Sequence, residues 1–406
     1  MDTNLIGNNT SGITVATDTF ISLYAGGSGS SSSVASSVAN IMPIAGTLKK
    51  FYLSCDAGPG AGITRTFWIY KNGANSGVTI ALTGSGTGAG ISSGSDLTDS
   101  VSFLAGDIIS IHTTATATST STGTIRWCID ANSATSNQSL ILGGSGSNLA
   151  TSGNCYVSPS GRGLDTTAGS NVAGVMPTGG VLKNAYIYLG PSDPPGTGAS
   201  YTATLYQNGS PAALTMSVSG SSAYTASDTT HSVTVSPGDV LYWQVAASGT
   251  PTARIADISM EFDPTINGES VHMYGSSVVD TNSAVRYNTV QAPNLASYQS
   301  TETSRQALTL SAVWRKLYVN LLSAPGGTAS FQVQLSTNST AGSPSVTITG
   351  SATTGNDANN VIATAGQAVA MKLTPAGTPT ASTLSWGIVS YIPPAGTTNS
   401  NFFEFM

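Results

Sequence analysis

The chain repeats itself three times at a spacing near 130 residues, and this self-similarity limits its architecture more than any other feature. Met42-Pro43-Ile44-Ala45-Gly46-Thr47-Leu48-Lys49-Lys50 returns as Met176-Pro177-Thr178-Gly179-Gly180-Val181-Leu182-Lys183-Asn184. In the third copy the strand Val313 to Val319 puts Trp314 where the others have Leu48 and Leu182, giving offsets of 134 and 132 residues. Phe67-Trp68-Ile69-Tyr70-Lys71-Asn72-Gly73 matches Ala203-Thr204-Leu205-Tyr206-Gln207-Asn208-Gly209. Asn-Gly behind an alternating apolar run signals a hairpin, because both residues tolerate a positive φ. Asp96 through Asp107 aligns without gaps on Asp228 through Asp239; the third copy, Asp357 to Gln367, lacks the final Asp. Gly249-Thr250-Pro251-Thr252-Ala253 recurs as Gly377-Thr378-Pro379-Thr380-Ala381.

A period this long is the size of a domain and not of a solenoid unit. The expected domains are 1–135, 136–264 and 265–395, followed by a tail, 396–406. Within each, short runs alternating Val, Ile, Leu, Tyr and Thr are separated by Gly/Ser/Pro/Asn clusters, and no segment carries the 3.6-residue stripe of a substantial helix. In the second copy strands are expected near 138–142, 154–158, 181–189, 200–206, 213–218, 231–235, 239–246 and 253–262. Eight antiparallel strands suit a jelly roll or related sandwich, so the expected fold is all-β, three tandem antiparallel β-sandwich (jelly-roll-like) domains. Alternation such as Thr215-Met216-Ser217-Val218 predicts one dry and one wet face per strand.

Charged residues make up only 8% of the chain, against the roughly 25% usual for soluble domains. Disorder is not the reason, since 39% of residues are hydrophobic and the net charge is only −6. Ser, Thr, Asn and Gly must cover the surface, which suits packing against copies of itself, where dense charge would be costly to desolvate. The densest basic spots are Lys49-Lys50 and Arg315-Lys316, too sparse for phosphate binding, so no nucleic-acid partner is expected. Met1 to Gly7 lacks the basic and apolar regions of an export signal, and no run approaches a membrane span, so neither secretion nor a membrane partner is expected.

Reactive groups are scattered. Cys55, Cys128 and Cys155 form no CxxC pair and read as buried free thiols, with a Cys55–Cys128 disulfide as the main alternative. His112, His231 and His272 fall in different copies and read as surface or strand residues. Glu261, Glu269, Glu302 and Glu404 lie near seams or the terminus, away from the paired geometry of a glycosidase. No nucleophile elbow, zincin or phosphate-loop motif is present, so no catalytic residue, cofactor or metal is expected and the chain is not read as an enzyme. Gly106-Asp107 and Gly238-Asp239 read as an Asp fixing the turn before a strand, with calcium as the alternative. Trp68, Trp127, Trp243, Trp314 and Trp386 read as core or inter-domain packing, with a sugar platform as the alternative.

Leu104-Ala105-Gly106-Asp107-Ile108-Ile109 and Val235-Ser236-Pro237-Gly238-Asp239-Val240-Leu241 resemble the Gly-Asp strand start of C1q/TNF-like jelly rolls, which are usually trimeric. Over the whole chain, Met176 to Asn184, the Asn-Gly hairpin and Thr230 to Asp239 resemble tandem β-domain virion structural proteins of tailed phages. The resemblance implies a capsid decoration or fibre protein, made in the host cytoplasm and resident in the virion. It implies homo-oligomerisation, with a trimer as one candidate state, and contact with other virion proteins. A receptor- or glycan-binding fibre that meets a host surface glycan, or a bacterial surface-filament subunit, is the alternative. Three phenylalanines near the C-terminus would be costly to leave in water, so Phe402, Phe403, Phe405 and Met406 are the candidate docking residues, against a tail folded onto its own domain.

Overall fold

The computed structural model describes residues 1–13, 16–24, 31–84, 92–118, 121–276, 284–291 and 298–394, and the chain is all-β with only short 3-10 turns among them. The first copy holds β1 (Asp2–Asn9), β2 (Thr19–Ile21), β3 (Ser31–Ser32), β4 (Asn40–Ile41), β5 (Gly46–Cys55), β6 (Thr64–Lys71), β7 (Ala74–Thr83), β8 (Ser92–Phe103), β9 (Ile108–Ala115) and β10 (Ile125–Ser133). The second holds β11 (Ser139–Asn148), β12 (Gly153–Val157), β13 (Gly161–Arg162), β14 (Leu164–Asp165), β15 (Gly174–Val175), β16 (Gly180–Tyr188), β17 (Gly196–Gln207), β18 (Ser210–Gly220), β19 (Thr225–Val235), β20 (Val240–Ser248) and β21 (Ile255–Pro264). The third holds β22 (Glu269–Ser276), β23 (Arg286–Asn288), β24 (Ala307–Leu308), β25 (Ala312–Leu321), β26 (Ser330–Thr337), β27 (Thr340–Thr349), β28 (Thr354–Ala363), β29 (Ala368–Ala376) and β30 (Leu384–Tyr391). All eight strands expected in the second copy are present; the short β13, β14 and β15 carry no alternation long enough to be read from sequence.

Each copy forms two sheets with a β-sandwich-like arrangement. One sheet runs β1-β10-β5-β8, β13-β11-β21-β16-β19 or β22-β30-β25-β28; the other runs β3-β2-β9-β6-β7, β14-β12-β20-β17-β18 or β23-β29-β26-β27. The short strands β4, β15 and β24 add to the second sheets beside β9, β20 and β29. Counting the eight principal strands of a copy along the chain, its sheets read 1-8-3-6 and 2-7-4-5, and this order is the same in all three. Pairing is antiparallel apart from the short contact of β13 with β11.

The sequence landmarks are the residues that shape these sheets. Asn72 and Gly73 turn the β6–β7 hairpin with φ of 50° and 90°, and Asn208 and Gly209 turn β17–β18 with 53° and 79°. In the third copy Asn338 and Ser339 do the same with 47° and 62°. The lysine-rich landmark encodes a bulge: Lys50, Asn184 and Lys316 are left-handed, with φ of 52°, 47° and 56°, and the register of β5, β16 and β25 shifts there. A carboxylate on the neighbouring strand accepts backbone N–H groups beside each bulge: Asp96 from Thr79, Thr98 and Asp99, Asp228 from Thr215, Thr230 and His231, Asp357 from Ser345 and Asn359. Burial alone would raise the Asp228 carboxyl, but these bonds and the His231 ring hold it down at about 2.

Where one sheet face meets water, the expected alternation holds: Leu214, Met216 and Val218 of β18 point inward and Thr215 and Ser217 outward. It fails for the first and last strands of the copies. β1, β10, β21 and β30 are buried along almost their whole length, so both faces are dry. The reason is that a neighbouring copy covers the outer face. β4 packs on β11, β16 and β21; β15 packs on β22, β25 and β30; β24 packs on β1, β5 and β10. The contacts run from first to second, second to third and third back to first, so the three copies close into a ring.

The cores interlock in the same cyclic order. Leu140 and Leu142 of β11 sit in the core of the first copy, Val271 and Met273 of β22 in that of the second, and Ile6 and Cys128 in that of the third. Burying each large apolar side chain contributes about 2 kcal/mol. Close backbone approach marks the seam between second and third copies: a Cβ at Gly387 would lie 1.8 Å from the Val175 carbonyl oxygen, and one at Gly275 would lie 2.2 Å from that of Ala173.

Candidate functional site

The candidate docking residues Phe402, Phe403, Phe405 and Met406 lie outside the described residues. The other groups of interest gather at the seams and at the centre of the ring.

At the centre, equivalent turns of the three copies converge. Ile21, Val157 and Asn288 pair with Ile111, Trp243 and Met371, and these in turn pair with Ile69, Leu205 and Leu335, each three residues before a hairpin asparagine. Continuing three residues past the first set gives Tyr24, Ser160 and Gln291, all buried at the same place. The Tyr24 hydroxyl lies 3.0 Å from His272 Nδ1 and donates to the Val271 carbonyl at 3.3 Å, and the Ser160 hydroxyl approaches it. Gln291 Oε1 also lies 3.0 Å from His272 Nδ1, while its Nε2 donates to the Ile6 carbonyl.

These contacts assign the His272 tautomer. Gln291 Oε1 can only accept, so Nδ1 carries the proton, and Nε2 accepts from the Ser390 hydroxyl at 2.8 Å. Burial depresses the imidazole pKa to about 4, so the ring is neutral near pH 7. His272 occupies the strand position of Leu5 and Ile141 in the other copies, which is why its repeat partners gave no hint of it. It serves a network that ties the first and third copies together beside Ser160 of the second.

The seams carry further polar ties. Asn4 Nδ2 donates to Thr309 Oγ1 at 2.9 Å and Asn8 Nδ2 donates to the Gln306 carbonyl at 3.0 Å, joining first and third copies. Arg162, paired with Asp257, also donates to the Ser37 carbonyl, joining second and first. Glu269 accepts from Thr178 at 2.6 Å and pairs with Arg315 and Lys316, joining second and third. Lys49 and Lys50 face Asp130 in the same way within the first copy, so both basic spots are spent on internal acids.

Each seam also leaves a cleft, of about 390 Å³ between first and second copies, 450 Å³ between second and third, and 420 Å³ between third and first. The three are built alike. A hairpin asparagine of one copy, Asn72, Asn208 or Asn338, faces the edge formed by β16 and β19, β25 and β28, or β5 and β8 of the next. Their linings differ: Asp239 lines the second, Arg126 lines the third, and the first carries a pair of tyrosines on the facing edge. Tyr188 and Tyr224 line the first cleft; by register their equivalents are Asn320 and Thr353 at the second seam and Ser54 and Ser92 at the third, of which Asn320 and Ser54 line their clefts. This pair was not singled out by sequence reasoning; its signal was a departure between aligned repeats and not a motif.

The remaining reactive groups have structural partners. All three cysteines are buried and free; Cys55 and Cys128 belong to the cores of different copies, on opposite faces of one sheet, so no disulfide joins them. Burial pushes the Cys55 thiol up to about 12. Asp107 accepts from the Leu104 N–H and the Asn72 amide, and Asp239 accepts from the Ser236 N–H and the Asn208 amide, which is the turn-fixing role. Among the described residues no group of three or more His, Cys, Asp or Glu side chains could hold a metal. Trp127, Trp243, Trp314 and Trp386 are fully buried. Trp68 stacks on His112 at 5.3 Å, within an outer patch that includes Phe20 and Tyr70. No helix among the described residues is long and apolar enough to cross a membrane.

No family model matches this chain, and no curated protein matches it.

Proposed function

We propose that the chain is a structural component of a phage particle, of the capsid decoration or fibre type. In this reading it is built from three jelly-roll domains, residues 1–135, 136–264 and 265–395, with a tail at 396–406 that docks through Phe402, Phe403, Phe405 and Met406. The repeated 1-8-3-6 and 2-7-4-5 strand order supports the jelly-roll assignment. The observation that carries the function is the closed ring: one chain encloses the axis that three subunits of a trimer would share, and seals it with cyclically interlocked cores. A closed body of this kind, with only 8% charged residues, suits a fixed place in an assembly better than turnover of a substrate. Its partners are copies of itself and other virion proteins, and it acts without catalytic residues, cofactor or nucleic acid.

The test is the protein content of gradient-purified particles from a lysate expressing this chain. The reading expects the chain at a fixed stoichiometry to the major shell protein, resistant to a high-salt wash. Its absence from particles, or its loss at moderate salt, would overturn the proposal. A receptor- or glycan-binding fibre is the second reading, favoured by the tyrosine-lined cleft.

A further inference from the structure

The three clefts provide an internal comparison: equivalent places in the ring, of which only the first carries aromatic rings at the Tyr188 and Tyr224 positions. The cleft between first and second copies takes Tyr70 and Ile108 from one side and Tyr188, Pro191 and Tyr224 from the other. Tyr188 and Tyr224 meet edge to face, with ring centroids 6.3 Å apart and planes at 78°. Tyr188 is buried while Tyr224 remains 38% exposed, so the first braces the second at the mouth. Fold requirements do not explain the pair, because the other two seams close with Asn, Thr or Ser at the same positions. A half-exposed tyrosine over an apolar hollow is surface left uncovered in the chain alone.

We propose that this cleft is a binding site for a neutral saccharide, a proposal that deepens the glycan-binding reading above and does not depend on a place in the virion. The chemistry follows from the lining. Among the described residues no Asp, Glu, Lys, Arg or His lines the cleft, so this lining offers an anionic or cationic ligand no compensation for lost hydration. A pyranose ring has an apolar C–H face and a rim of hydroxyls. The electron-rich tyrosine faces match the C–H groups, and the Ser36 and Ser110 hydroxyls and the backbone at Gly73 match the rim. The cleft volume lies within the roughly 300–1,000 Å³ range of small-ligand sites. Tyrosines are also rigid, so fixing them on binding costs little entropy. Because the walls come from two copies, the site exists only where the first copy packs on the second.

Saturation-transfer NMR and calorimetry on the full chain test this, with lactose, maltose and N,N′-diacetylchitobiose as neutral probes and 3′-sialyllactose as the anionic one. At least one neutral disaccharide should bind saturably, with transfer strongest to the C–H face of a ring. Tyr224→Ala should weaken that binding by about tenfold or more, with Tyr224→Phe close to the parent protein. Asn320→Ala, at the Tyr188-equivalent position of the second cleft, should leave it unchanged, and melting temperatures report that the fold is intact. The proposal is overturned if none of the neutral disaccharides binds, if binding survives Tyr224→Ala, or if 3′-sialyllactose binds as tightly. A chain present in particles that binds no disaccharide would remove this site and leave the structural reading standing; binding by a chain absent from particles would do the reverse.

Discussion

His272, read from sequence as a surface or strand residue, lies on the strand β22, and what surrounds it there gives it a role the sequence does not show. A lone histidine in a strand reads as a bland position, yet this one is buried against Tyr24, Gln291 and Ser390 where its repeat partners are Leu5 and Ile141. Its pKa, about 4 in the folded chain, lies below the ordinary value of 6.5. Between those limits the unfolded chain binds a proton that the native chain excludes, so this residue's contribution to stability falls as pH drops from about 6.5 to about 4. The loss is on the order of 3 kcal/mol. Asp130 and Asp257 act in the opposite sense, because burial raises them to about 6 and about 7, so the measurement must be a difference. His272→Leu should lose stability at pH 7, with Tyr24 and Gln291 left short of a partner, yet show a flatter dependence between pH 6.5 and 4 than the parent in urea unfolding. Parallel curves for the two proteins would refute this assignment.

At the scale of elements, the hairpins and the strand starts they face form one unit in every copy. Asn208 Oδ1 accepts from the Val240 N–H at 2.9 Å while Asp239 accepts from Ser236, Gln207 and Asn208. The third copy lacks the Asp, and Gln367 Oε1 accepts from the Thr364 N–H at 2.9 Å in its place. Asp239→Ala should therefore cost about 1–3 kcal/mol, and Gln367→Ala clearly less, since one bond is lost and not three. Equal losses in denaturant titrations would contradict this account. These units were legible in the first two copies because Asn-Gly and Gly-Asp are local signals with local causes. In the third, Asn338-Ser339 and Gln367 keep the geometry with different residues, so the motif faded while the structure persisted. The dry outer faces of β1, β10, β21 and β30 were illegible for another reason: a strand covered by a neighbouring copy needs partners for Asn4 and Asn8, not a continuous apolar run.

Across the whole molecule, the three repeats and the all-β class could be read from spacing and alternation, but their closure into a ring could not. The seams are made by pairs as distant as Asn4 with Thr309, and by short strands such as β15 that have no sequence signature. The tyrosine cleft depends on the packing of the first copy on the second and was hidden with it. Small-angle scattering from the fraction with the mass of one chain, 40.8 kDa, measures closure most directly. Three copies packed about a shared axis should give a radius of gyration of about 22 Å, as for any compact chain of this length. A value of about 33 Å, that of three such units in a row, would contradict the ring.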